Sequence, residues 1–360
     1  MEFVKREFLF VIFSILMIGF IINNPDEIKN LYSYISWSTI RALIVLILIT
    51  TAFKISNVFD DMAINIIKLF KTEKYLALFF ITLTAFLSMF LTNDITLFII
   101  VPLTIALNLK NDISKLVFFE AMSANVGSML TPIGNPQNLY LFREWNISFF
   151  DFIHTMFAIF IIKFIILIIF IFILFPNNKL QIINLKSKKR DYFLFFSSLL
   201  LFFTFIVALE INFVRFLIPI IILFYLFANI KVLKQFDYFL IITFMLMFID
   251  FSIMAKIPYI KNIIDSINLD FFNTFNLSIL LSEVMSNVPA TIFISNFSKD
   301  YTAISYGVNI AGSSLVLASL ANIIAIRMLK NNRYYLTFHK FSIPYFLISY
   351  IAIIFYLKIV

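Results

Sequence analysis

Ser123-Ala124-Asn125-Val126-Gly127-Ser128-Met129-Leu130-Thr131-Pro132-Ile133-Gly134-Asn135-Pro136-Gln137-Asn138 sets two glycines, two prolines and three asparagines inside an apolar chain. A helix cannot run through it unbroken, because each proline removes a backbone donor and clashes with the preceding turn. The surroundings make that break costly. Of the 360 residues, 62% are hydrophobic and 13% charged, with a mean hydropathy of +1.00. Soluble domains are about 45–50% apolar and about 25% charged. The chain is therefore a polytopic membrane protein, which excludes a soluble enzyme, a nucleic-acid binder and a disordered scaffold. Inside a bilayer each unpaired N–H or C=O costs several kcal/mol, so the break must be buried in protein or line a cavity.

Three more interruptions share this character. Thr92-Asn93-Asp94 separates the apolar runs 75–91 and 95–107. Ser286-Asn287-Val288-Pro289 separates 275–285 from 290–297, and Gly312-Ser313-Ser314 separates 302–311 from 315–328. Uninterrupted runs at 8–22, 40–53, 150–175, 192–209, 212–230, 236–254 and 343–359 are candidate spans. The first follows Lys5 and Arg6 and lacks a small-residue cleavage site, so it reads as a retained span.

The net charge of +8 is a topology signal. The basic run Lys186-Ser187-Lys188-Lys189-Arg190 places the central loop in the cytoplasm, and working outward puts the N-terminus there too. The bias is consistent only if 75–107 is a re-entrant hairpin entering from inside and 275–297 one entering from outside. This implies a multi-pass protein of the cytoplasmic (inner) membrane.

On this map the chain reads as two halves of opposite orientation. Residues 1–176 hold spans, an amphipathic segment (60–71), the inward hairpin 75–107, the broken helix 113–142 and a long span. Residues 177–209 are the basic loop and a linker span. Residues 210–360 repeat the order, with an amphipathic segment (257–272), the outward hairpin 275–297 and the broken helix 302–328. Asn125 and Asn138 are thirteen residues apart, as are Asn309 and Asn322. An all-α inverted repeat with broken helices near the midplane is the architecture of many secondary transporters.

The quoted stretch, with Leu91-Thr92-Asn93-Asp94-Ile95-Thr96-Leu97, Ser286-Asn287-Val288-Pro289-Ala290 and Gly307-Val308-Asn309-Ile310-Ala311-Gly312, resembles the ion-transporter superfamily over nearly the whole chain. That superfamily includes divalent-anion/sodium symporters, citrate transporters, arsenite efflux pumps and sodium/proton antiporters. The resemblance implies an elevator-type transporter, commonly a homodimer, in which hairpins and broken helices move against a scaffold of outer spans. In the symporters the tips read Ser-Asn-Thr and bind sodium and a substrate carboxylate. Here Asn93 and Asn287 keep the central position, Ser286 and Thr92 keep the leading hydroxyl, and the third position departs at both tips. Asp94 is closer to the arsenite and antiporter branches.

The candidate binding residues follow from this chemistry. Asn93, Asn125, Asn135, Asn138, Asn287, Asn309 and Asn322 offer amide donors and acceptors. Thr92, Thr96, Thr131, Ser286 and Ser313 add hydroxyls. Gly127, Gly134 and Gly312 allow close approach and conformations that other residues avoid, while Pro132 and Pro289 break the helices. Sodium prefers oxygen ligands, and Asn93, Asp94, Asn125, Asn287 and Asn309 are the residues placed to supply them. An intramembrane carboxylate such as Asp94 is by default a cation ligand or proton acceptor, and half-helix N-termini can hold an anion without a basic side chain. Glu120 and Glu283 lead into breaks and act through neighbours or as structural pairs. Lys163 reads as a snorkelling residue, His154 and Asp250 as outer-interface groups, and His339 as solvated.

The readings in play are gradient-driven transport of a small citrate- or dicarboxylate-like anion, cation/proton exchange or arsenite export through Asp94, and a channel. No cofactor is expected beyond a coupling sodium ion or proton. No enzyme signature such as His-Glu-x-x-His or Gly-x-Ser-x-Gly occurs, and cysteine is absent.

Overall fold

The computed structural model describes residues 7–58, 70–106, 113–179, 189–331 and 333–359. Most of the amphipathic segment expected at 60–71, the end of the hairpin arm at Leu107, Lys5, Arg6 and Lys186 to Lys188 lie outside them. The described chain is built from helices, with one isolated β-bridge between Thr72 and Lys179. The helices are α1 (Phe8–Asn23), α2 (Trp37–Ser56), α3 (Glu73–Leu91), α4 (Asn93–Ala106), α5 (Ser114–Ser128), α6 (Pro136–Glu144), α7 (Phe149–Leu174) and α8 (Tyr192–Glu210). There follow α9 (Val214–Ala228), α10 (Tyr238–Lys256), α11 (Pro258–Asp265), α12 (Phe271–Met285), α13 (Asn287–Ile294), α14 (Tyr301–Ala311), α15 (Leu320–Met328) and α16 (Arg333–Ile359).

Local chemistry sets the helix starts. Ser148, Asp191, Asp237, Asp270 and Asp300 each accept the backbone N–H three residues on with their side-chain oxygen, and so cap α7, α8, α10, α12 and α14. Among the described residues, α2, α3, α7, α8, α10 and α16 are long and apolar enough to cross a membrane. The 16-residue α1 covers the run 8–22, the 15-residue α9 is shorter than the run 212–230, and both fall just under the roughly 17–25 residues of a full crossing. Large apolar side chains such as Phe150, Phe227, Phe193 and Ile173 point outward, as lipid-facing residues do.

Each proposed hairpin is two helices meeting at one residue, α3 to α4 at Thr92 and α12 to α13 at Ser286. Each packs on its own broken helix, α3 and α4 against α5, α12 and α13 against α14. The short half-helices cross over: α6 packs on α13, and α15 on α4. The amphipathic segment expected at 257–272 is helical only as α11 before the chain re-enters α12 at Phe271.

Two glycines let these helices touch. A Cβ at Gly127 would collide with the carbonyl oxygen of Ala85 on α3, and one at Gly307 with that of Phe275 on α12. The contact is of the small-residue type that allows membrane helices to approach closely. The expectation of unusual glycine conformations is corrected here, since none of the five glycines has a positive φ. Gly19 faces open space, with nothing within 4 Å of an added Cβ. Gly127→Ala is expected to destabilise the protein by about 1–3 kcal/mol, as overpacking does. Gly19→Ala is expected to be neutral or stabilising, and thermal unfolding of the two variants in detergent checks the contrast.

Candidate functional site

Breaking α5 from α6 and α14 from α15 frees backbone groups deep in the protein, and asparagine side chains take them up. The Asn138 amide donates to the carbonyl oxygens of Ser128 (3.2 Å), Met129 (3.2 Å) and Thr131 (3.1 Å). Asn322 does the same in the other break, to Gly312 (2.9 Å) and Leu315 (3.1 Å). Asn135 caps α6 by accepting Asn138 N–H at 2.9 Å.

The two breaks are also bonded to each other. Asn125 Nδ2 donates to Asn322 Oδ1 at 2.9 Å, and Asn309 Nδ2 to Asn138 Oδ1 at 2.7 Å. Each of these donors also reaches back to its own helix, to Ala121 O and Ser305 O. Asn125 Oδ1 accepts Ser319 Oγ at 2.8 Å, and Asn309 Oδ1 accepts Asn135 Nδ2 at 3.1 Å. The cross-bonds correspond, Asn125 with Asn309, Asn138 with Asn322 and Asn135 with Ser319, while Asn135 also caps α6 and the Ser319 side chain caps nothing. All six are buried.

The hairpin tips meet this lattice. Asn93 Nδ2 donates to Asn125 Oδ1 at 3.2 Å, and Asn93 N–H donates to Gly134 O at 3.0 Å. Asn287 Nδ2 lies beside Gly312, where an added Cβ would be 3.6 Å away, with Asn125 Oδ1 at 3.3 Å. Both tips are strained in the same way: Thr92 has φ 71° and ψ 149°, Ser286 φ 74° and ψ 156°. Side chains other than glycine avoid this region at a cost of order 1–3 kcal/mol, and such residues cluster at ligand sites and switches. Four helix N-termini thus surround the lattice, those of α4, α6, α13 and α15.

Charged groups stand around it unevenly. Asp94 lies in the first turn of α4, with Oδ1 buried and without a hydrogen-bond partner, as is Thr96 Oγ1. Glu120 is fully buried; one oxygen accepts the Thr104 hydroxyl and the other has no partner. Glu283 accepts the Ser314 hydroxyl and Leu315 N–H.

Three sequence readings are corrected by position. Lys163 does not snorkel; it is fully buried, and its ammonium donates to the second break. Asp250 is 1% exposed, held inside by the packing of α10 on α1, α2 and α13. His339 is not free in solvent; its Nε2 accepts Val316 N–H at 3.2 Å. His154 is exposed, as expected.

Of the other candidate residues, Thr131 donates to Met89 O, Ser313 accepts from Lys163, and Pro132 and Pro289 are buried at a break and a tip. Sequence reasoning passed over Ser319 and Ser128, whose hydroxyls bond into the lattice. The matched thirteen-residue spacing aligns Ser319 with Asn135 and was the available signal.

Comparison with known proteins identifies a family. The family model described as citrate transporter matches residues 1–299. An uncharacterized transporter of Methanocaldococcus jannaschii is 35% identical over 333 residues, covering 90% of this chain and 89% of its own length. The inner membrane protein YbiR of Escherichia coli is 33% identical over 324 residues, covering 89% and 87%. A transporter named arsB in Dictyostelium discoideum is 27% identical over 144 residues, 39% of this chain and 25% of its own.

The cross-bonding makes a quantitative prediction. Asn125→Ala and Asn322→Ala each strand buried partners and are expected to cost about 1–3 kcal/mol. The double variant is expected to cost less than the sum by at least about 0.5 kcal/mol. A double-mutant cycle on unfolding free energies checks this, and strict additivity would contradict the bond.

Proposed function

Because the chain belongs to the citrate transporter family, and so is a membrane transporter and not an enzyme, we propose that it carries a small citrate- or dicarboxylate-like anion, driven by a sodium or proton gradient. The observation that carries this reading is the mutual bonding of the two helix breaks around a common centre. A channel needs one lined path. Two breaks joined so closely are suited to moving as one body, with the hairpins riding on them and α1, α2, α8, α9 and α10 acting as scaffold. The matched hydrogen bonds of the two halves support an inverted repeat and an elevator movement. The protein would work as an integral protein of the cytoplasmic membrane, as a homodimer with its N-terminus inside.

The anion has an electrostatic seat. The N-termini of α4, α6, α13 and α15 carry partial positive charge, and they surround the asparagine amides. The strained tips at Thr92 and Ser286 present further backbone at the same place. The coupling cation belongs at Asp94. Its buried, unpartnered Oδ1 is a costly arrangement for a carboxylate, and a bound sodium ion or proton removes the cost. Asn93, whose Oδ1 accepts the Asp94 N–H, Thr96, whose hydroxyl is also buried and unpartnered, and Asn125, bonded to Asn93, are the neutral oxygen donors on that side.

The same Asp94 supports a second reading, cation/proton exchange or export of an arsenite-type solute, in keeping with the likeness to the transporter named arsB. Flux into proteoliposomes separates the two. Citrate or succinate is expected to accumulate under an imposed sodium or proton gradient, and Asp94→Asn to cut accumulation by about tenfold or more, as loss of an ion ligand does. Undiminished accumulation in Asp94→Asn would remove Asp94 from the coupling step. Sodium-dependent proton movement with no anion present would favour the exchanger.

A further inference from the structure

Lys163 lies in the interior of α7 and is fully buried. Its Nζ donates to Ile310 O at 2.9 Å, to Asn309 O at 3.3 Å and to Ser313 Oγ at 3.3 Å. It stands 5.7 Å from the Tyr345 ring centre, and the Tyr345 hydroxyl donates to Lys163 O at 2.9 Å. The three acceptors are uncharged oxygens at the C-terminal end of α14 and the start of the break. Unwound carbonyls and half-helix C-termini are what hold coupling cations where transmembrane helices are broken. Here a side chain delivers a cation to them from a neighbouring helix.

The other half is arranged differently. In it α16 stands against α5, as α7 stands against α14, and the buried polar residues of α16 are Ser342, Tyr345 and Ser349. Among the described residues Lys163 is the one fully buried base. The charge balance differs accordingly. Around the second break stand Lys163 and Glu283, bonded to the adjacent Ser313 and Ser314 respectively. Around the first break stand Asp94 and Glu120, two carboxylates with unpartnered oxygens.

We infer that Lys163 is the built-in cation of the second break, so that the oxygens of Asn309, Ile310 and Ser313 are held by a tethered ammonium and not by an exchangeable monovalent cation. The free cation is thereby confined to the first half. This builds on the assignment of the coupling cation to Asp94 made above. It also gives the carrier one exchangeable cation fewer than two matching breaks would bind.

Radioactive sodium binding to the purified protein, with melting temperatures in sodium chloride against choline chloride, tests this. Lys163→Ala opens the oxygens and is expected to bind one more sodium per chain than the parent. Its melting temperature is expected to rise by about 3 °C or more in sodium, beyond any rise in the parent. Lys163→Met, which keeps the stem volume, is the second variant. Sodium counts equal to the parent's in both variants would overturn the inference. If neither folds in choline chloride, rescue by sodium supports it and failure of rescue overturns it. Asp94→Asn in the parent reads the other assignment separately. Loss of the parent's own sodium supports Asp94 as ligand; retained sodium, or a parent that binds none, contradicts sodium at Asp94. The Lys163→Ala gain is scored against the parent's count in either case.

Discussion

A helix that stops inside a membrane must find partners for the backbone groups it exposes, since no water is there to take them. Every other feature of this protein's centre follows from how that constraint is met. Asn138 and Asn322 turn back to bond the carbonyls of their own breaks. Their remaining acceptors receive the amides of Asn309 and Asn125 from the opposite half. Neither break is satisfied without the other. The central helices α5, α6, α14 and α15 are therefore coupled by directional bonds in a dry interior, where leaving one unmade is expensive.

That coupling explains where the chemistry sits. The asparagines that close the lattice also touch the tips, through Asn93 on Asn125 and Asn287 beside Gly312. A ligand bound at the tips, as proposed above, would act on both halves at once. The strain held at Thr92 and Ser286 is kept in place by this packing. The two breaks exchange corresponding amide bonds and differ in charge, with Asp94 and Glu120 at one, Lys163 and Glu283 at the other.

Much of this was legible in the residues. Apolar runs located the helices to within a few residues, the start of the last one excepted, because a run of about 20 Phe, Ile and Leu residues in a bilayer satisfies its backbone within one segment only as helix. The breaks were legible from Gly, Pro and Asn clustered inside such runs, and the Asn125–Asn138 and Asn309–Asn322 spacing announced their correspondence. The run 343–359 begins at Arg333 in the structure, since the polar, aromatic first turns hold helix without raising hydropathy. What stayed hidden was long-range. Lys163 reaches carbonyls some 146 residues away, and His339 on α16 meets Val316 from the far side of α15 in the sequence. A lysine in an apolar run has two solutions, reaching out to the interface or inward to carbonyls, and local sequence does not distinguish them. The buried site of Asp250 likewise depends on which helices pack over it.

The proposed elevator movement requires that the two broken helices and their hairpins form one body that moves against the outer spans. The chain has no cysteine, so spin labels can be attached at single introduced cysteines without removing native ones. Phe98 on α4, Val284 on α12 and Val207 on α8 are exposed sites for them. Pulsed dipolar distances in lipid, with and without citrate and the coupling ion, are the most direct measurement. One unchanged distance is expected between positions 98 and 284, and two interconverting distances between 98 and 207. A single fixed 98–207 distance, or a 98–284 distance that changes with ligand, would contradict the movement.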